Sequence, residues 1–204
     1  MSGLVSVLPI PEISKAEIYF GGMGGYSFPN DLSNRSLSGD LPALPLPDLG
    51  LEKSVVGGGK IGFYLEEYNL FGFETEGFFT ESDTEFGEKL RVTTWAFNAL
   101  LRYPGKRFQP YFGAGIGLFF TEVDDDVPGP SLSDDWVPGL NLLGGVRGFL
   151  TDSIAVFAEY KFNYAKLDQK TTSFFIPLDR NFTLGVKETY STNMIVGGLS
   201  FHFN

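Results

Sequence analysis

Along most of this chain apolar and polar side chains alternate with a period of two, the period of a β-strand, whose successive residues point to opposite faces. Eight stretches carry that pattern, at about residues 16–28, 55–66, 69–81, 89–103, 108–122, 136–151, 153–165 and 188–203. In the seventh, one parity reads Ile154, Val156, Ala158, Tyr160, Phe162 and the other Ala155, Phe157, Glu159, Lys161, Asn163. The fourth divides into Trp95, Phe97, Ala99, Leu101, Tyr103 against Thr94, Ala96, Asn98, Leu100, Arg102. The fifth, around Phe112 and Phe120, is apolar on both faces, so Gly113, Gly115 and Gly117 must leave room for larger neighbours. Short connections at 66–69, 104–107 and 151–153 are rich in turn formers and predict tight hairpins. Longer ones, at 29–54, 82–88, 123–135 and 166–187, show no amphipathic period and are expected to be loops.

Short turns at one end and long loops at the other are the arrangement of an up-and-down outer-membrane barrel, with the turns in the periplasm and the loops outside. A soluble sandwich or barrel also alternates, with the Phe-rich face turned inward. Strand length decides between them. Stretches of about 12 to 15 residues suit tilted membrane-spanning strands and exceed the usual five or six of soluble sheets. Aromatic residues near strand ends (Tyr64, Tyr68, Tyr103, Trp136, Tyr164, Tyr190) are expected to form the interfacial girdles. The predicted fold is an all-β, eight-stranded antiparallel transmembrane barrel, one domain over residues 1–204 with a short N-terminal extension at 1–15.

Composition agrees. The 204 residues include 26 Gly, 21 Phe and 9 Tyr with only 20% charged residues, and no apolar run is long enough for a transmembrane helix. A net charge of −10 without a basic stripe argues against nucleic-acid binding. With no Cys there is neither a disulfide framework nor a thiolate site. The N-terminal MSGLVSVLP lacks the basic start and long apolar core of a secretory signal, so export implies a leader already removed.

The middle hairpins carry a resemblance. Pro110-Tyr111-Phe112-Gly113-Ala114-Gly115-Ile116-Gly117, and Gly144-Gly145-Val146-Arg147-Gly148-Phe149 leading to Ala158-Glu159-Tyr160-Lys161-Phe162, resemble the OmpA-like and OmpW-like small outer-membrane barrels. The terminal Leu199, Phe201 and Phe203 are similar to the aromatic signature by which members are recognised for insertion, although Asn204 follows it here. The resemblance implies residence in the bacterial outer membrane, lipid and lipopolysaccharide as surroundings, the barrel-assembly machinery as a partner during insertion, and a monomer. It also implies a structural or adhesive role through external loops or, alternatively, a narrow channel for ions or small apolar solutes. A soluble lipocalin-like ligand-binding barrel is a second alternative.

Polar parity places Lys60, Glu74, Glu76, Arg102, Arg147, Glu159 and Lys161 inside, four positive and three negative charges. Charges in a narrow interior persist when paired, so a salt-bridge network plugging the lumen is expected. No cofactor is expected. Glu122, Asp124, Asp125, Asp126, Asp134 and Asp135 lack the spacing of a Ca²⁺ loop and read as a solvated acidic loop. His202 shares a face with Ser200, but no carboxylate stands near it in sequence to orient the imidazole, and an enzyme is not expected. Gly113-x-Gly115-x-Gly117 and Gly59-Lys60-Ile61 fail the spacing of nucleotide-binding loops. The Asn34 and Asn181 sequons carry no meaning in a bacterium.

Overall fold

The computed structural model describes residues 17–40, 42–65, 67–83, 89–105, 107–124, 136–175 and 180–203. All regular structure among them is strand: β1 (Glu17–Pro29), β2 (Ser33–Gly39), β3 (Ser54–Tyr64), β4 (Phe71–Asp83), β5 (Lys89–Arg102), β6 (Phe108–Asp124), β7 (Val137–Phe149), β8 (Ile154–Phe175) and β9 (Arg180–Phe203). Consecutive strands pair antiparallel from β3 to β9, and β1 pairs on one side with β3 and on the other with β9. Eight strands therefore close into an up-and-down barrel with no open edge. The short β2 stands outside that closure, on the outer part of β9.

Parity sorts the side chains as the sequence pattern requires. Phe73, Phe97, Phe112, Ile116, Tyr160 and Ile195 lie on the outside, each about half exposed. Lys161, Arg147, Asn141 and Val196 point inward and are buried. An apolar exterior of this extent belongs in hydrocarbon, where it costs nothing, and not in water, where patches above a few hundred Å² are rare. The soluble alternative required the Phe-rich parity to line a cavity; that parity faces outward, and the alternative falls.

Two of the six girdle residues do not belong to the girdle. Tyr68, Tyr103 and Trp136 are exposed, but Tyr64 and Tyr190 are buried in the lumen. Each shares the inward parity of its strand, Tyr64 with Lys60 and Tyr190 with Met194. Parity outranks position along the strand, because a side chain at a strand end still points to one face only.

Of the two long segments expected to be loops, 166–187 is largely sheet and 29–54 contains a short strand. β8 and β9 run on through 166–187, with an unbroken ladder from Ile154↔Phe201 to Phe175↔Arg180. The last described pairs of β7 with β8 reach only Ala165, so ten further residues of β8 rise beyond β7, roughly 30 Å of extended chain. Within 29–54, β2 pairs with β9, and its own outer side meets the returning chain at Leu32↔Leu49 and Ser36↔Pro45. Asn34, at φ 52°, sits in the irregularity between Ser33 and Ser36, and Gly39, at φ 91°, ends the strand. These strands were hidden because no apolar–polar alternation runs through their sequence, while backbone pairing needs none.

The tight turns are where the sequence puts them. At the last, Thr151 Oγ1 accepts hydrogen bonds from the amides of Ser153 (3.3 Å) and Ile154 (3.0 Å). Inside, glycines make room: a Cβ at Gly113 would lie 2.6 Å from Leu100 Cδ2, and one at Gly117 2.7 Å from Phe119 Cε2. At Gly115 it would meet the Phe97 carbonyl oxygen at 1.9 Å, whereas at Gly77, on the outside, it would meet nothing within 4 Å. Gly115→Ala is expected to destabilise the barrel by about 1–3 kcal/mol, as overpacking does, and Gly77→Ala to change it by under about 0.5 kcal/mol; urea unfolding in lipid vesicles measures both. On the same assay Ala99→Arg, an outward position, is expected to cost about 2–4 kcal/mol if it lies near the bilayer midplane.

Candidate functional site: the lumen network

Three apolar layers and two polar belts fill the barrel from end to end. Tyr19, Tyr64, Leu100, Tyr111 and Leu143 pack in the lower half, with the short turns below them. Met23, Val56, Phe78, Phe157, Met194 and Val196 form a second cluster. Val92, Phe119, Ala165, Leu167 and Tyr190 form the third, at the long-loop end, where Leu32 and Leu49 of the first long segment join them. An eight-stranded barrel has an interior just wide enough for side chains to fill, and here they fill it.

The central belt is built from β3, β4, β8 and their neighbours. Lys60 Nζ is paired with Glu159 and lies 3.3 Å from Glu74. Lys161 Nζ stands 2.5 Å from Glu76 and 3.1 Å from Glu159. All five side chains are fully buried. Neutral donors add to the ion pairs: Tyr19 donates to Glu74 at 2.6 Å, Tyr111 to Glu159 at 2.5 Å, and Asn98 and Asn141 to Glu76 at 3.1 and 2.9 Å. Such added hydrogen bonds help charges stay in a dry interior, because an ion pair alone does not recover its lost hydration.

Arg102 is not part of this belt. It belongs to a second one near the turn end, where its Nη2 lies 2.6 Å from Glu17 and its guanidinium stacks 3.6 Å from the centre of the Tyr64 ring. Glu17 also meets His202 Nδ1 at 2.8 Å, and His202 Nε2 lies 2.9 Å from Ser200 Oγ. Arg147 stands between the belts, held by ring faces, 4.4 Å from Tyr19 and 5.2 Å from Tyr111. Its guanidinium makes no hydrogen bond to a protein atom. Glu17 is the residue sequence reading missed. It supplies the fourth negative charge of the two belts, which set four carboxylates against Lys60, Lys161, Arg102 and Arg147. The signal was available in the parity of β1, where Glu17, Tyr19 and Met23 fall on one side.

Glu17 also corrects the expectation that nothing orients His202. Ser200, His202 and Glu17 make the hydrogen-bond order of a catalytic triad. Geometry withholds the chemistry: Ser200 is completely buried, and the imidazole is packed between Tyr19, with ring centres 5.2 Å apart, and Phe149 at 4.8 Å. The arrangement joins the last strand to the first at the seam that closes the barrel. Among the described residues no group of His, Cys, Asp or Glu could hold a metal ion. Asp125, Asp126, Asp134 and Asp135 lie outside the described residues, as do the side chains of Glu122 and Asp124.

Leu199, Phe201 and Phe203 all face outward at the end of β9. Phe20 stacks on both phenylalanines, 5.3 Å from Phe201 and 5.7 Å from Phe203. Residues 2–203 match the model of the outer membrane protein beta-barrel domain. The chain belongs to that family. Solved barrels of the bacterial outer membrane are similar to it in fold. Neisserial surface protein A is 17% identical over 91% of this chain and 97% of its own, with a TM-score of 0.61. OprG from Pseudomonas aeruginosa is 15% identical over 94% and 97%, at 0.62, and the N-terminal barrel domain of OprF from the same organism 12% identical over 93% and 99%, at 0.53. No curated protein matches the chain by sequence. Membership places the exposed Phe-rich band in lipid.

Within this family member the belt predicts its own energetics. Lys161→Met leaves Glu76 and Glu159 short of a buried partner and is expected to cost about 3–5 kcal/mol. Lys161→Met combined with Glu76→Gln is expected to cost less than the single change, and a double-mutant cycle by urea unfolding in vesicles reads the coupling.

Proposed function

We propose that the protein is an outer-membrane anchor that holds a β-sheet above the membrane for surface interactions, and that it is not a pore. The observation that carries this reading is the contrast between the two ends of β8 and β9. In the membrane they close a barrel packed with side chains; beyond it they continue as a hairpin of ten residues on the β8 side, with β2 registered beside it. A filled lumen leaves no water path, since conduction needs polar groups lining open space and not groups bonded to each other across it. The outer sheet holds a backbone ladder continuous with the barrel wall, a scaffold of the kind that positions recognition surfaces.

Leu199, Phe201 and Phe203 fit the same picture as the strand end offered to the assembly machinery during insertion, with lipid and lipopolysaccharide covering the band afterwards. Export across the inner membrane by a leader removed before insertion completes it. The charged belts act as the plug, and their cross-lumen ion pairs favour that role over a gate.

Planar-bilayer recording tests the plug. The refolded protein is expected to give no steady conductance steps, and reproducible ohmic steps would turn the reading into a narrow channel. For the sheet, residues 169–182 are replaced by a two-residue turn. The trimmed protein is expected to keep its heat-modifiable gel mobility, while cells displaying it lose adhesion to immobilised glycan and matrix surfaces. Equal adhesion by both forms would remove the surface role.

A further inference from the structure

The chain that leaves β1 does more than add a strand. Leu32 and Leu49 face each other across an antiparallel bridge, with backbone hydrogen bonds of 2.8 and 3.1 Å, and both are buried against Val92, Phe119, Leu167 and Tyr190 at the outer end of the lumen. One side chain ties this segment down at two points. Arg35 Nε lies 3.1 Å from Glu188 Oε2 on β9, and its Nη1 donates to the Pro47 carbonyl at 3.1 Å. A single guanidinium thus joins the outgoing limb, the returning limb and the barrel wall.

The backbone hold is slight by comparison. β2 and β9 share five pairs, interrupted between Ser33 and Ser36, where β1 and β9 share twelve without a break. Arg35 also keeps contact with water, its side chain 17% exposed against 4% for Glu188. We propose that the segment from Leu32 to Leu49 is a latched lid: its two leucines seal the apolar outer end of the lumen, and the Arg35–Glu188 pair is the latch. Opening it uncovers an apolar cup floored by the packed barrel below, and no through-path. The proposal stands apart from the surface role of the β8–β9 hairpin, since a lid can seal the lumen whether or not that hairpin binds anything.

The chain contains no cysteine, so one introduced thiol reports on the cup. Leu167→Cys, placed beneath the leucines, is labelled with a charged maleimide on the refolded protein in detergent. Labelling is expected to be slow with Arg35 in place and to accelerate roughly tenfold or more with either Arg35→Ala or Glu188→Gln, as release of a local opening demands. Arg35→Lys, which keeps a cation for Glu188, is expected to restore much of the protection. Equal rates in all four backgrounds overturn the latch. Loss of heat-modifiable folding in both the Arg35→Ala and Glu188→Gln proteins overturns the lid as well, by making the segment part of what the barrel needs to fold.

Discussion

In hydrocarbon an unpaired backbone N–H or C=O has no water to turn to, and each one left open costs several kcal/mol. The ladder between β1 and β9, twelve pairs from Ile18↔Phe203 to Pro29↔Thr192, removes the last two edges of the sheet. Everything else about the molecule follows from that closure. Once the sheet is a tube, each strand has one face in lipid and one in a confined interior, and period-two alternation becomes compulsory. Closure also fixes the interior volume, which is why glycines at 113, 115 and 117 on β6 are matched by large residues at 100, 119 and 143.

The interior then has to be made electrically quiet. Burying eight charged side chains is tolerable here because Lys60, Lys161 and Arg102 pair with the four carboxylates, tyrosines and asparagines donate to three of them, and Arg147 rests on tyrosine rings. The eight charges of the two belts sum to zero, so they contribute nothing to the net charge of −10. The same belts hold strands that are distant in sequence: Lys60 of β3 reaches Glu159 of β8, and Arg102 of β5 reaches Glu17 of β1.

The barrel was legible wherever one face of a strand meets lipid and the other the lumen, because Ile154 to Asn163 or Trp95 to Arg102 can satisfy that only by alternating. Seven lumen charges were readable by the same rule. It failed where its physical cause stops. Lys166 to Phe175 and Arg180 to Lys187 pair as well as any spanning residues, yet they lie past the lipid-and-lumen sandwich that makes alternation compulsory. The short β2 and its partner segment are held by five backbone pairs with β9, two leucines, one arginine and single polar contacts such as Asp40 with Thr183, contacts between residues too far apart and too few to mark the sequence. Tyr64 and Tyr190 were misplaced by position along the strand when parity already assigned them inward. Glu17 was overlooked because a charge at the first residue of a strand looks like an exposed end.

The extended wall of β2, β9 and β8 occupies one sector of the barrel's circumference, while β4 and β5 end their ladder at Asp83↔Lys89. On that sector β8 and β9 carry their pairing ten residues past the last described pair of β7 with β8. A neighbour in the same leaflet that approaches from there meets a backbone wall standing over the lipid, so the orientation of the barrel about the bilayer normal becomes part of what it presents.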